Sequence, residues 1–286
     1  MKALSRFSSF FLASLALASP VYSQGGERPE TLAASASSLE VAFELYAGGI
    51  PFGHVAMSAR MEGSEYKAIS TLETKGIVNS FWQSKIETAS SGKLAEGRLQ
   101  PVLYDSFSQN RTTQRRQVTL TFGPDGPKSM VSDPPYPDNK YPVSGQLQKN
   151  TLDPLSAGLF LVTNLASSGA KDCSGVAPIF DGRRRYDVAI SFVKKNNIHM
   201  DNGLYAGPAQ VCQVRYKQIA GYSQEVIDQN KKFPDIFAWV VSLGSTVDSS
   251  RRYMVPVRIW AQTDFGVVAA VASQVKLDGA LLKGTN

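Results

Sequence analysis

The sequence predicts a mainly β protein: a large curved antiparallel sheet, a half-barrel or spiral, with one amphipathic helix packed on its concave face. Three observations carry this. Short runs of alternating apolar and polar residues, punctuated by Gly-, Pro- and Asp-rich turns, recur along the chain and amount to roughly eleven to thirteen strands. Only the stretch opening at Asp153 has convincing helical spacing, and a single amphipathic helix needs a partner surface. No internal repeat divides the chain, so one antiparallel architecture is expected over residues 39–280.

Leu39 to Tyr46 alternates as a half-buried strand, Ala47 to Gly53 is turn chemistry, and His54 to Met61 alternates again, giving an opening hairpin. Glu62 to Glu65 is the next turn and Tyr66 to Thr74 the third strand. Gly76 to Trp82 suits one short helical turn, and Gln83 to Ser90 returns to strand until Ser91-Gly92 breaks it. Pro101 to Ser108 and Arg115 to Phe122 pair next, with a short strand over Lys128 to Val131. Asn110-Arg-Thr112 has the form of a glycosylation acceptor but is read as a loop. Asp133 to Gly145 holds four prolines in thirteen residues, which suits an extended surface loop and no central strand.

The helix begins at Asp153, whose carboxylate can accept from the first free amides, with Pro154 at the first helical position. Leu155, Leu159, Val162 and Leu165 fall on one face, and Ser167-Ser-Gly169 ends the run. From Asp172 to Val193 the chain combines a cysteine, the Asp181-Gly182 turn, Arg183-Arg184-Arg185 and a strand with Tyr186, Val188, Ile190 and Phe192 on one face. Lys194 to Asn202 follows as a polar loop, then a strand over Ala209 to Ile219 and a polar crossover over Gly221 to Lys232. Ile236 to Leu243, Arg252 to Gln262 and Val267 to Leu277 are the closing strands, the last two a hairpin about Thr263 to Gly266. Residues 281–286 form a tail.

Met1 to Ser23 has the form of a cleaved secretory signal. Lys2 and Arg6 precede an apolar stretch over Phe7 to Ser19, too short for the roughly 20 residues that span a bilayer. Export to an oxidising compartment is therefore expected, with residues 24–38 as a flexible lead-in. There Cys173 and Cys212, the only cysteines, are read as a structural disulfide worth roughly 4 kcal/mol in the chain-entropy model. A catalytic thiol is the rival reading, with neither a Cys-x-x-Cys spacing nor more than two histidines to support it.

The full chain has a formal net charge of +6, and loss of the leader's two basic residues leaves 28 basic against 24 acidic, or +4. That modest excess suits an anionic envelope surface, and no recognition helix or aromatic RNA-binding motif suggests nucleic acid. His54 and His199 lack the further ligands of a metal site, and no Gly-x-Ser-x-Gly elbow occurs. Asp181, Asp187, Asp201 and Asp228 are the only carboxylates weighed as a hydrolytic pair, and sequence spacing cannot test their separation. No catalytic residue, metal or cofactor is assigned. The arginines are the most pointed chemistry: Arg183 and Arg185 are candidate contacts to an anionic group, against a plainer reading as surface charge paired with Asp181 and Asp187. Phe81, Trp82, Phe237, Trp239 and Trp260 are read as core.

Three segments carry a resemblance: Tyr46-Ala-Gly-Gly-Ile-Pro-Phe-Gly53, Asp153-Pro-Leu-Ser-Ala157 and Phe180-Asp-Gly-Arg-Arg-Arg-Tyr-Asp187. Together they resemble an exported Gram-negative family known as domain of unknown function 3108, over roughly residues 39–280. The resemblance implies a periplasmic protein with no established catalytic residues. A curved sheet with an internal helix is also similar, as a fold, to periplasmic lipoprotein-carrier and envelope-integrity β proteins. The expectation is a non-enzymatic envelope-maintenance protein with a lipid, acyl chain or envelope polymer in an apolar groove. The alternative is a structural module that pairs with another envelope protein.

Overall fold

The computed structural model describes residues 36–76, 83–110, 114–136, 140–163, 172–230, 234–264 and 266–282. The expected leader over 1–23, most of the lead-in, Phe81 and Trp82 with the helical turn beyond Gly76, residues 111–112, Leu165 to Gly169 and the tail beyond 282 lie outside them.

Alternation produces strands where it was expected. β1 (Ser37–Ala47), β2 (Ile50–Glu62), β3 (Glu65–Thr74), β4 (Ser84–Ala95), β5 (Arg98–Asn110), β6 (Gln114–Gly123) and β7 (Gly126–Asp133) form one meander. A single helical turn, Gly145–Gln148, and the central helix, Pro154–Val162, follow. The second meander comprises β8 (Ser174–Phe180), β9 (Arg185–His199), β10 (Ala206–Ala220), β11 (Ile236–Gly244), β12 (Arg252–Thr263) and β13 (Gly266–Leu277). A short helix, Gln224–Asn230, lies between β10 and β11, and the two-residue β14 (Ala280–Leu281) pairs with β13.

The two meanders join where β13 pairs antiparallel with β1, giving the order β7-β6-β5-β4-β3-β2-β1-β13-β12-β11-β10-β9-β8. The result is a thirteen-strand antiparallel sheet that curls into a nearly closed, barrel-like form. Its terminal strands stand mid-sheet, and its edges, β7 and β8, are consecutive in sequence. The connection between those edges therefore does two jobs. Residues 150–152 lace the seam: Asn150 N–H donates to Asp125 C=O (2.8 Å), Leu152 N–H to Pro178 C=O (2.8 Å), and Phe180 N–H to Leu152 C=O (2.9 Å). The central helix then enters the sheet's interior.

That helix forms because Asp153 caps it. The carboxylate accepts from the Leu155 and Ser156 amides at 3.0 and 2.9 Å, and from the Ser90 hydroxyl at 2.9 Å. Ser156 Oγ also donates to it, and Tyr66 and Ser90 hydroxyls meet Ser156 Oγ at 2.7 and 2.8 Å. Asp153 and Ser156 are fully buried, so every donor here replaces a water. Leu155, Ala157 and Leu159 are buried, with Phe160 and Leu161 packed partly against the same core as Met61, Leu99 and Ile179. The helix thus buries more of its circumference than one apolar stripe, as suits an element surrounded by sheet.

Four local expectations shift. β1 starts at Ser37, because that buried hydroxyl meets Tyr253 Oη at 2.8 Å and Asp278 Oδ1 at 2.9 Å. β4 runs through Ser91-Gly92 with a register shift there; a side chain at Gly92 would place Cβ 2.3 Å from the Gln100 carbonyl, so the glycine lets strands approach. β9 continues through Lys194 to His199, since pairing of Lys194 with Val211 and Asn197 with Pro208 carries its exposed polar residues. The crossover after Gly221 contains a helix of seven residues.

The disulfide forms. Cys173 and Cys212 are bonded and buried, and Cys173 N–H donates to Gln210 Oε1 at 2.7 Å. It ties the start of β8 to β10 beside Ala238, Val240 and Met254.

Asp278 clamps the far end of the sheet. It accepts from Ser245 Oγ (2.7 Å), Thr246 N (2.8 Å), Ser38 N and Ser37 Oγ (both 2.9 Å). Partial burial alone would raise its carboxyl, but the donors led by Ser245 outweigh that and hold it at about 2. A depressed folded value means stability present above the ordinary carboxylate range, about 3.9, and lost as pH falls toward about 2. Asp278→Ala is expected to lower neutral-pH stability by about 2 kcal/mol. In urea titrations its deficit against wild type should shrink between about pH 4 and pH 2; a deficit constant with pH would contradict this account.

Candidate functional site

A cavity of about 60 Å³ lies among Leu39, Val41, Phe43, Leu155, Leu159 and Val255. Its walls are apolar.

The same face opens into a larger groove nearer the β1–β2 and β12–β13 turns. Register defines it: Phe43 pairs with Ala272, so two residues on Leu45 lies beside Ala270, which pairs with Ile259, while Val268 pairs with Ala261 and Ala261 with Ile236. Phe52 and Pro234 add to the walls, and the enclosed volume is about 440 Å³. No ionisable side chain is among its lining residues. Ile236, Ile259 and Leu45 are half-buried, and Val268 remains 38% exposed at the rim. Strand alternation puts these side chains on one face. The groove is of ligand size, roughly 300–1,000 Å³, and its chemistry is purely apolar.

The arginine triplet sits elsewhere, at the β8–β9 turn. Asp181 Oδ1 accepts from the Arg183 and Arg184 amides at 2.9 and 2.7 Å and so shapes that turn. Arg185 is committed within the fold: Nη1 donates to Asp187 Oδ1 (2.5 Å) and to the Tyr186 carbonyl (2.7 Å), and Nε to the Leu147 carbonyl (3.2 Å). Arg183 lies 5.2 Å from the Tyr136 ring and Arg184 5.5 Å from that of Tyr222. None of the three lines the groove.

Of the four candidate carboxylates, Asp181 and Asp187 belong to the β8–β9 hairpin, and Asp201 and Asp228 lie elsewhere. Asp181 caps a turn, Asp187 pairs with Arg185, Asp201 lies at the β9–β10 tip, and Asp228 accepts from Gln224 in the short helix. His54 stands on β2 between Glu44 and Glu73 of neighbouring strands, its buried Nδ1 without a hydrogen-bond partner. Among the described residues no group of three or more His, Cys, Asp or Glu side chains is placed to hold a metal. No described helix is long and apolar enough to cross a membrane. The groove residues escaped the sequence reading because each looked like ordinary core; only the alternation of β1, β11 and β12 hinted at their shared face.

The fold and groove define a barrel-like antiparallel β protein with an internal helix. Residues 42–273 match the family described as "Protein of unknown function (DUF3108)", and the chain belongs to that family. No curated protein matches the sequence. Among solved structures, a "Beta-barrel-like Protein of Domain of Unknown Function DUF1849 from Brucella abortus" is similar at 8% identity and a TM-score of 0.46, over 86% of this chain and 98% of that one.

Proposed function

We propose that this is a non-enzymatic periplasmic protein of envelope maintenance that holds the acyl chain of a lipid or lipoprotein in the groove of Leu45, Phe52, Ile236, Ile259 and Val268. The observation that carries the reading is the groove itself: about 440 Å³ with apolar walls and no ionisable lining. Such a surface gains by covering, at about 25 cal/mol per Å² of apolar area. The leader-like Met1 to Ser23 and the disulfide support export.

Native mass spectrometry of the exported protein, followed by solvent extraction, tests it. A stoichiometric lipid or fatty acid is expected, and Val268→Asp should abolish it by setting a carboxylate on the groove wall. Val268 is a partly exposed position, so the variant should keep its fold. A clean mass for the wild type, or undiminished lipid in the variant, would sink the proposal.

A second reading rests on β7. This edge strand leaves Met130 43% and Val131 64% exposed, a surface to which another envelope protein would add a strand. A clean mass together with a crosslinked partner lost on Val131→Lys would favour it.

A further inference from the structure

Arg258 stands on β12, one residue before Ile259 of the groove. It lies side by side with Trp239 of β11 and Val271 of β13, while Trp260 pairs with Phe237 and Ala269 one step along the same face. The guanidinium carbon is 5.0 Å from the Trp239 ring and 5.5 Å from the Trp260 ring, and the two rings are 5.5 Å apart in an edge-on arrangement. Arginine and both indoles thus form a triangle. A cavity of about 480 Å³ opens beside it, walled by Tyr46, Trp239, Val271, His199 and Asp201.

Two indole rings meet the guanidinium of Arg258, but no carboxylate pairs with it among the described residues. Its Nε is buried without a hydrogen-bond partner. Other arginines are engaged: Arg185 on Asp187, Arg251 on Asp248 and the Gly63 carbonyl, Arg252 on Ser242. Ring contacts meet the face of a guanidinium and leave its in-plane N–H fork free, and that fork matches a carboxylate in two-pronged fashion. Arg258 is half-buried, with an unpartnered Nε beside a cavity of ligand size.

The other charges on the cavity narrow the ligand. Asp201 shares its wall, and Glu44 stands beside Val271 on the neighbouring strand. Both oppose a dianion more than a monoanion. His199 adds a polar group to the wall.

We propose that this pocket binds a small carboxylate-bearing ligand, with the carboxylate on the Arg258 fork and an apolar or aromatic body along Trp239. The pocket centres on Arg258 and Trp239 and the acyl-chain groove on Leu45, Ile236 and Ile259, with Trp260 and Ala269 bordering the groove as well.

Intrinsic tryptophan fluorescence reads the site directly, because two of the chain's three tryptophans flank Arg258. The full-length mature protein is titrated with benzoate, L-phenylalanine and inorganic phosphate. Benzoate and L-phenylalanine should produce a saturable change with Kd at or below about 1 mM, and phosphate should bind at least about tenfold more weakly. Arg258→Met should remove the response. Arg258→Lys keeps the charge without the fork and should weaken benzoate at least about tenfold, which preserves the test if the methionine variant does not fold. Asp201→Asn, at an exposed hairpin tip, should narrow the gap between benzoate and phosphate. No saturable response to benzoate or L-phenylalanine, phosphate binding tighter than either, or unchanged affinity in a folded Arg258 variant would each overturn the proposal.

Discussion

Asp153→Ala should destabilise the protein by about 4 kcal/mol, because it removes a helix cap and a buried hydrogen-bond centre together. The carboxylate answers four donors: the Leu155 and Ser156 amides and the Ser90 and Ser156 hydroxyls. With alanine there, the two amides and two hydroxyls remain buried without it. Asp153→Asn keeps an oxygen for the amides, and the serine hydroxyls can turn to accept from its NH₂, so it should cost only about 1–2 kcal/mol. Urea unfolding of the three proteins, read as midpoint at constant slope, checks both figures. Equal losses for Ala and Asn would mean that side-chain volume, not hydrogen bonding, matters here.

The same residue has a pH signature opposite to that of Asp278. Burial pushes the Asp153 carboxyl up, and the hydrogen bonds from Ser156, Ser90 and Leu155 only partly offset this. Folded Asp153 therefore holds its proton to higher pH than the unfolded chain does, whose value is about 3.9. Its linked stability is fully present below that value and falls as pH rises through the folded pKa. Asp153→Asn cannot titrate, so its deficit against wild type should be larger at the acid end of that window than above it.

Gly221→Ala should cost about 3 kcal/mol or more, since two penalties coincide at one Cβ. Gly221 has φ of +90°, and an added Cβ would meet the Arg183 carbonyl oxygen at 2.4 Å and Arg184 Cα at 2.9 Å. Both are backbone atoms of the β8–β9 turn, which is held by Asp181, so neither can give way as a side chain would. Gly49→Ala is the control. Its φ is +83°, but nothing lies within 4 Å of the added Cβ, so it should carry only the conformational strain of about 1–2 kcal/mol. If the two variants lose equal stability, the close approach at Gly221 contributes nothing.

Elements whose cause is local were legible. Asp153-Pro154 marked a helix start because capping needs only a side-chain oxygen and the amides two and three residues on, and the structure has both contacts. The face of β9 followed from strand periodicity for Tyr186, Val188 and Ile190, which pack partly buried against the core, whereas Phe192, expected on the same face, is 38% exposed because the strand runs on into its exposed stretch. The disulfide was legible because two cysteines in a chain expected to be exported leave one pairing. The extent of β9 was not. Lys194 to Asn197 looks like a loop, and becomes strand only because β10 supplies partners for its backbone.

The amino-acid order by itself determined the mainly β class, the capped helix and the cysteine pair, because alternation, capping and cross-linking depend on residue type and short spacing. Tertiary structure decided which strands are neighbours. β1 meets β13 across nearly the whole chain, so the groove of Leu45, Ile259 and Ala270 and the surroundings of Arg258 exist only once that pairing forms. An arginine's partners are set by distance in space. The sequence offered Arg183 and Arg185 for their density of charge, whereas folding met Arg185 with Asp187 and left the Nε of Arg258 without a hydrogen-bond partner.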